Sequence, residues 1–318
     1  MQFSTRIPIP ESIPRIDYSS NILSLGSCFA VNMGQKFEYF KFSNTINPFG
    51  ILFHPLALEK TIRFASKNKT FTEADIFYYN ELWQCYDAHS DLSNPDKEQL
   101  LSNLNTACSV LRQALLSATH ITITLGTAWV YRFTETSELV ANCHKVPQKQ
   151  FSKELLDVNV IGNSLKNILS LIGELNNEAT VIFTVSPVRH IKDGFTENQW
   201  SKANLISALH QTLNAEHQTL NTSYFPSYEI MMDELRDYRF YAEDMIHPNQ
   251  VAIDYIWERF AESWISNEAQ QTMKLADNIQ RSLLHRSFNP DSDNHKKFLE
   301  NLGTKIATLQ QKHPHIVF

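Results

Sequence analysis

The chain has 318 residues, of which 42% are hydrophobic and 19% are charged, and its formal net charge is −6. This length and apolar content suffice for one large α/β domain or two smaller ones, and the mild acidic excess argues against a nucleic-acid-binding surface. No uncharged apolar run approaches the roughly 18–20 residues of a membrane-spanning helix. Because the N-terminus has no apolar leader and the four cysteines are scattered, we expect a cytoplasmic protein with free thiols and no membrane association.

The first part of the chain contains a strand that turns into a helix, followed by less regular segments. In order, we expect an irregular lead-in over 1–20, a strand at about 20–26, a helix at about 29–40, a turn-rich stretch over 44–50, a helix at about 55–65 and an aromatic segment over 71–93. The aromatic segment has no clean period, so we predict short strands or a loop that lies over the functional site.

The next part of the chain alternates between helices and strands. In order, we expect a helix at about 96–118, a strand over 120–125, a hairpin insertion over 128–150, a helix at about 152–174, a strand over 179–185, a helix at about 197–218, a strand-like stretch over 223–232 and a helix over 248–264. Ser152 is the predicted N-cap of one of these helices, and Pro248 is the predicted first residue of another.

This alternation predicts a three-layer α/β/α sandwich with a mostly parallel sheet, because parallel neighbours are joined by helical crossovers. Residues 266–318 are polar, helical in pattern and free of strand signals. We therefore predict an α/β domain over residues 1–265 and a C-terminal helical extension over 266–318. No spaced set of His and Cys indicates a metal site and no glycine-rich loop indicates a nucleotide, so no metal or cofactor is expected.

The most informative position is Ser27, which follows Gly26 where the first predicted strand turns into a helix. A serine at the carboxyl edge of a parallel sheet is expected to expose its hydroxyl next to helix N-terminal amides that can stabilise an anion. Asp244 and His247 lie three positions apart near the end of the α/β region. Because a histidine oriented by a carboxylate can accept the proton of a serine, these residues predict a nucleophile, a base and its orienting acid.

Two nearby residues have competing interpretations. Cys28, beside Ser27, is an alternative nucleophile, although a cysteine that opens a helix after a strand more commonly fills the core. His190 follows the end of a predicted strand, and it either lines the pocket or is a solvated loop residue. We keep Ser27 as the predicted nucleophile.

Several ordered motifs resemble the GSCFA family of the SGNH, or GDSL-type, hydrolases, whereas the Gly-x-Ser-x-Gly motif of the α/β-hydrolases is absent. The resemblance covers most of residues 20–265. Its motifs are Gly26-Ser27-Cys28-Phe29-Ala30, Asn47-Pro48-Phe49-Gly50, Leu125-Gly126-Thr127, Ser186-Pro187-Val188-Arg189-His190, Tyr224-Phe225-Pro226-Ser227-Tyr228-Glu229 and Asp244-x-x-His247-Pro248.

The resemblance implies a Ser27, His247 and Asp244 triad. It also implies an oxyanion hole built from the amides of Ser27 and Gly50 and from an asparagine in a third block, which normally reads Gly-x-Asn-Asp. Here that block reads Gly126-Thr127-Ala128-Trp129, so the asparagine is missing. The residues expected to bind the oxyanion or the substrate are Gly50, Asn47, Gly126, Thr127, His89 and His190.

The resemblance and the aromatic segment over 71–93 lead us to expect an esterase that removes a short acyl group, such as acetyl, from a hydroxyl of a carbohydrate. The partner would then be a small-molecule or carbohydrate ester. Two alternatives remain open. The missing asparagine favours a weakly active or non-catalytic ligand-binding protein, because loss of one oxyanion donor can cost about a hundredfold in rate. An acyltransferase would use the same residues. The oligomeric state is open.

Overall fold

The computed structural model describes residues 5–215 and 220–318. In chain order, its strands are β1 (Asn21–Gly26), β2 (Ser43–Ile46), β3 (Phe77–Tyr79), β4 (Leu82–Gln84), β5 (His120–Leu125), β6 (Trp129–Phe133), β7 (Leu139–Val140), β8 (Phe151–Leu155), β9 (Thr180–Val185) and β10 (Asn221–Phe225). Its helices are α1 (Cys28–Tyr39), α2 (Pro55–Ser66), α3 (Lys97–Ser117), α4 (Val158–Leu175), α5 (Phe195–Leu213), α6 (Ser227–Glu229), α7 (Gln250–Trp264), α8 (Asn267–Leu284) and α9 (Asp293–Lys312).

The central sheet has five parallel strands in the order β10-β9-β5-β1-β2. Every residue of β5 and β9 is buried, which fits their β-branched, apolar composition and their place in the middle of the sheet. Parallel pairing brings the carboxyl ends of β1, β5 and β9 to one edge of the sheet. The residues that follow these strands are therefore neighbours, although they are far apart in sequence.

Helices cover both faces of the sheet and confirm the three-layer α/β/α sandwich. On one face, Leu58, Leu104, Ile168 and Leu205 bring α2, α3, α4 and α5 into a single apolar core with the sheet. The other face carries a second core, which includes Phe29, Phe37, Trp257, Phe260 and Met273 of α1, α7 and α8. Burial of these faces is the main favourable term that fixes the strand ends in place.

The predicted helix over 152–174 is wrong at its beginning. Residues Phe151–Leu155 form β8, which pairs with β6, and Arg132 forms an ion pair with Glu154 across the two strands. The helix begins at Val158, because the Asp157 carboxylate accepts hydrogen bonds from the first-turn amides. Ser152 therefore lies in a strand and caps nothing, and the predicted hairpin insertion is a three-stranded antiparallel sheet.

Four other predicted boundaries also shift. The turn-rich stretch over 44–50 begins inside the edge strand β2, and the strand predicted to reach residue 232 ends at Phe225, where Pro226 interrupts the pairing. The last helix of the α/β region begins at Gln250 rather than Pro248, since the Asn249 side chain accepts a hydrogen bond from the Ala252 amide. The helix predicted over 197–218 ends at Leu213, and positions 216–218 lie outside the described residues.

The C-terminal residues form two long helices, as expected. α8 buries Ala269, Met273 and Ala276 against the core that contains α1 and α7, and α9 packs on α8 through Leu302 and Leu309. Across residues 5–215 and 220–318, no helix combines the length and apolarity needed to cross a bilayer.

Candidate active site

Ser27 occupies the sharp turn between β1 and α1. Gly26 makes this turn with a φ of +125°, and a Cβ atom at Gly26 would stand 2.1 Å from the Thr124 carbonyl oxygen. The Ser27 amide donates to the same carbonyl oxygen at 3.1 Å. Because only glycine fits so close to the neighbouring strand, this position fixes where Ser27 lies. The expected exposure of the Ser27 hydroxyl is wrong, because the turn encloses the side chain completely: it is fully buried, and its Oγ has no hydrogen-bond partner among the described residues.

Asn47 holds the peptide groups on both sides of Gly26. Its Oδ1 accepts a hydrogen bond from the Gly26 amide at 2.7 Å, and its Nδ2 donates to the Gly26 carbonyl oxygen at 3.1 Å. The side chain is nearly buried, and its backbone has a positive φ of 38°. In this conformation both polar groups of the Asn47 amide are therefore used to shape the turn before Ser27.

Gly50 packs closely against His89. Its φ is +75°, and a Cβ atom there would stand 2.3 Å from the His89 Cβ. The Gly50 amide donates to the Asn47 carbonyl oxygen at 2.7 Å, and His89 Nδ1 lies 3.0 Å from a carboxylate oxygen of Asp91. The amides of Gly50 and Ser27, which the resemblance nominates for an oxyanion, thus both donate to main-chain carbonyl oxygens here.

The third block touches Ser27 directly. A Cβ atom at Gly126 would stand 3.1 Å from the Ser27 Cβ and 2.9 Å from the Phe53 carbonyl oxygen. That carbonyl oxygen accepts hydrogen bonds from the amides of Gly126 and Thr127. The Thr127 hydroxyl lies 3.1 Å from the hydroxyl of Ser201 in α5. Gly126 therefore forms a wall of the Ser27 site, whereas Thr127 turns towards α5.

The alanine that replaces the expected asparagine is also directed at α5. Ala128 is fully buried, and its amide donates to the Ser201 hydroxyl oxygen at 2.8 Å. The main chain of Ala128 is therefore held against α5.

Asp244 and His247 form a close pair within one short loop. His247 Nδ1 and Asp244 Oδ2 are 2.6 Å apart, and Asp244 Oδ1 accepts from the amides of Ile246 and His247. The amide and ring hydrogen bonds from His247 hold the pKa of Asp244 at about 2, so the carboxylate is ionised at neutral pH. Since a carboxylate only accepts, Nδ1 of neutral His247 carries the proton and Nε2 presents a lone pair.

The segment after β9 anchors this loop. The Arg189 amide donates to the Ile246 carbonyl oxygen at 3.2 Å, and the Arg189 guanidinium donates to the Met245 carbonyl oxygen at 3.1 Å. His247 itself remains half exposed, at 49% for its side chain. His247 is therefore held by hydrogen bonds within and next to its loop, not by close packing.

His190 lies between the two halves of the site. Its ring contacts the edge of Phe53 at a centroid distance of 5.8 Å, and its Nε2 is buried without a hydrogen-bond partner among the described residues. Burial, with smaller contributions from the charges of Lys202 and His247, lowers the pKa of His190 to about 3. His190 is therefore a neutral imidazole that can offer one N–H to a ligand.

The structure thus joins Asp244 to His247, places His190 near His247, and packs Gly126 against Ser27. Ser27 Oγ makes no hydrogen bond to His247 in this conformation. Burial raises the pKa of the neighbouring Cys28 thiol, which keeps it protonated at neutral pH. Among residues 5–215 and 220–318, no group of three or more His, Cys, Asp or Glu side chains could hold a metal ion.

Sequence reasoning missed Lys202. This lysine is 1% exposed, and its Nζ donates to the carbonyl oxygens of Gly126 and Ser186, each at 2.8 Å. Burial lowers the pKa of Lys202 to about 7. Its position on the buried face of α5, between Asn198 and Leu205, is the signal that would have found it, because lysine is rarely a core residue.

Comparison with known families agrees with this arrangement of motifs. The model of the GSCFA family matches residues 21–260, and the model of the GSCFA domain protein C-terminal domain matches residues 276–318. No curated protein matches the sequence. The first match spans well over half of the chain and contains all the motifs around Ser27 and His247. The chain belongs to the GSCFA family.

Proposed function

We propose that this protein is a serine esterase of the SGNH type that removes a short acyl group, such as acetyl, from a hydroxyl of a carbohydrate. The observation that carries the proposal is the 2.6 Å contact between His247 Nδ1 and ionised Asp244, which leaves His247 Nε2 as an acceptor. Support also comes from Ser27, whose unpartnered Oγ lies at the carboxyl edge of the sheet.

In the first step, Ser27 Oγ attacks the ester carbonyl carbon while His247 Nε2 accepts the hydroxyl proton. Asp244 stabilises the imidazolium that forms, through its bond to Nδ1. The tetrahedral intermediate then expels the alcohol, which takes the proton back from His247. Acyl transfer to Ser27 is complete at this point, and the sugar hydroxyl is free.

In the second step, His247 accepts a proton from water, whose oxygen attacks the acyl-Ser27 carbonyl. Collapse of that intermediate releases the carboxylic acid and returns the proton to Ser27 Oγ. Each intermediate carries an oxyanion. His190 Nε2 is the side-chain donor that best fits this charge, because it is buried, unpartnered and neutral. It would take the role of the missing asparagine.

A carbohydrate carrier is supported by the exposed rings next to the His247 loop. Phe195 and Tyr238 are 66% and 62% exposed, and each ring centroid lies 5.7 Å from the Arg189 guanidinium carbon. Arg189 is also the residue that binds the Met245 carbonyl oxygen. Aromatic rings at the edge of the site suit the apolar faces of a sugar ring.

The test is hydrolysis of p-nitrophenyl acetate by the purified wild type and by Ser27→Ala, His247→Ala and Ser24→Ala. Ser24 is a matched control, since it is a buried serine of β1 whose hydroxyl donates to Asn44 Oδ1 at 3.1 Å. We expect Ser27→Ala and His247→Ala to lose about 10³-fold or more in kcat, as triad removals do, while Ser24→Ala keeps most of the activity. Equal rates in all four proteins would refute the proposal.

The same samples distinguish the two alternatives. A fluorophosphonate probe that labels the wild type but not Ser27→Ala supports a nucleophilic serine. The complete burial of Ser27 Oγ favours a non-catalytic ligand-binding protein, and absence of labelling together with unchanged ligand binding by Ser27→Ala would establish that role. An acyltransferase would instead yield an acylated product when an acceptor alcohol is added, and an esterase would yield only the free acid.

A further inference from the structure

Lys202 is a lysine in a fully buried place. It is 1% exposed in the interior of the α/β region, yet its Nζ forms only two described hydrogen bonds, to the carbonyl oxygens of Gly126 and Ser186. Taking an ammonium out of water is costly, and well-packed apolar residues commonly replace buried charges without loss of stability. The stability of the fold alone therefore does not account for this lysine.

The two carbonyl groups that Lys202 binds stand at the active edge of the sheet. Gly126 directly follows β5, and Ser186 directly follows β9. Gly126 is also the residue that packs against Ser27, with 3.1 Å between its would-be Cβ and the Ser27 Cβ. A single ammonium group thus joins the ends of two central strands, and one of the residues that it binds, Gly126, packs against the predicted nucleophile Ser27.

We propose that Lys202 is a positioning residue of the Ser27 site. Its ammonium fixes the carbonyl groups of Gly126 and Ser186 beside Ser27, and its positive charge stabilises the anion that forms during acyl transfer. This inference rests on the proposed function, because it assigns a role within the same site. Lys202 touches neither substrate nor reacting atoms in this role, and it exchanges no proton.

The charge of Lys202 makes the role testable by pH. The groups that face it are Cys28 of α1, His190 after β9 and the ring of Tyr228 in α6, whose centroid is 5.5 Å from Nζ. Burial raises the pKa values of Cys28 and Tyr228 and lowers that of His190, so these three are neutral around pH 7. Lys202, with a pKa of about 7, is the member of this set that changes charge between pH 6 and 9.

The experiment compares kcat and KM for p-nitrophenyl acetate between the wild type and Lys202→Met from pH 6 to pH 9. We expect the wild type to exceed Lys202→Met about tenfold in kcat at pH 6, with similar KM values, because a buried charge acts on the transition state. The ratio should fall to about twofold at pH 9, where Lys202 has lost its proton.

A ratio that does not change with pH would mean that Lys202 only fills space and would overturn the proposal. A ratio that rises with pH would also overturn it, since the neutral amine would then be the active form. Lys153→Met is the matched control. Lys153 forms a partly buried ion pair with Asp193 beside Trp129, away from the carbonyl groups of Gly126 and Ser186, and its loss should leave the ratio near one at every pH.

Two further variants separate the possible failures. If Lys202→Met does not fold, Lys202→Gln keeps hydrogen-bond donors without the charge and should show the same pH-dependent ratio. If Ser27→Ala retains the wild-type rate, the esterase proposal fails and the role of Lys202 fails with it. If Ser27→Ala is inactive while the ratio is constant with pH, only the role of Lys202 is refuted.

Discussion

The nucleophile and the base of the proposed triad are held in different ways. Ser27 is fully buried, and the turn before it is fixed by a close glycine contact and by both polar groups of Asn47. His247 and Asp244 are about half exposed and depend on hydrogen bonds within one loop. The Ser27 half of the site is therefore part of the folding core, whereas the His247 half can change its position without unfolding the protein.

The two halves are not bonded to each other in the described conformation, because Ser27 Oγ has no hydrogen-bond partner among the described residues. The proposed chemistry therefore requires His247 Nε2 to reach Ser27 Oγ in the substrate complex. Substitutions on the Ser27 side should then cost stability first. Substitutions on the His247 side should cost activity with little change in stability.

Gly26→Ala should have the largest effect on the Ser27 side. Its new Cβ would stand 2.1 Å from the Thr124 carbonyl oxygen at a φ that alanine avoids, so we expect a loss of more than about 4 kcal/mol in unfolding free energy. Urea denaturation measures it. Gly303→Ala is the control, since nothing lies within 4 Å of that helical position and alanine there should stabilise by up to about 1 kcal/mol. Similar stabilities for the two variants would contradict the account of the turn.

Asn47→Ala should destabilise by about 1–3 kcal/mol, because it removes two buried hydrogen bonds and leaves the Gly26 amide without an acceptor, while the Gly26 carbonyl oxygen keeps its hydrogen bond from the Leu52 amide. Asn47→Asp retains the acceptor for the Gly26 amide but loses the donor to the Gly26 carbonyl oxygen. It also places a carboxylate oxygen against that carbonyl oxygen in a buried place, so it should be at least as unstable as Asn47→Ala in urea denaturation. An Asn47→Ala variant as stable as the wild type would show that the turn before Ser27 does not depend on the Asn47 side chain.

Lys202 gives the Ser27 side a pH-dependent stability. Its pKa is about 7 when folded and 10.5 in the unfolded chain, so between these values the unfolded state binds more protons and stability rises with pH. Relative to Lys202→Met, the unfolding free energy of the wild type should increase by about 2 kcal/mol from pH 7 to pH 9. Denaturation at both pH values measures this difference, and a constant difference would mean that Lys202 keeps its proton throughout.

Arg189→Met tests the His247 side and should have the smallest effect. Loss of the guanidinium contact with the Met245 carbonyl oxygen loosens the loop, so we expect kcat to fall about fivefold, equivalent to about 1 kcal/mol, with a nearly unchanged melting temperature. Arg239→Met is the control, because Arg239 is an exposed residue that pairs with Asp237. A large loss of stability in Arg189→Met would place this loop in the folding core as well.

The sequence predicted those parts of the molecule that depend on local pattern. Buried β-branched runs gave the central strands, and the Gly26-Ser27 break correctly marked a strand that turns into a helix. The first residues of α4 were misassigned because Ser152 and Asp157 both resemble N-caps. The choice between them depends on pairing of β8 with β6, and local propensity does not contain that information.

Within the site, the sequence predicted only contacts between residues that are close together along the chain. Asp244 and His247 are three residues apart, so their contact was accessible to sequence reasoning. Asn47 was expected near an oxyanion, yet its hydrogen bonds to Gly26 appear only when β1 and β2 lie side by side. Lys202 depends on packing of α5 beneath two strand ends, and no spacing along the chain reveals which carbonyl groups it meets.

The packing of Ala128 against α5 has a consequence for how this site could change over evolutionary time. Ala128 is fully buried, so the larger side chain of an asparagine would need room in a filled interior, and its polar groups would need new hydrogen-bond partners there. A single substitution would therefore meet a steric and a polar penalty at once. Exchange between the two kinds of third block therefore requires coordinated changes in the core around residue 128.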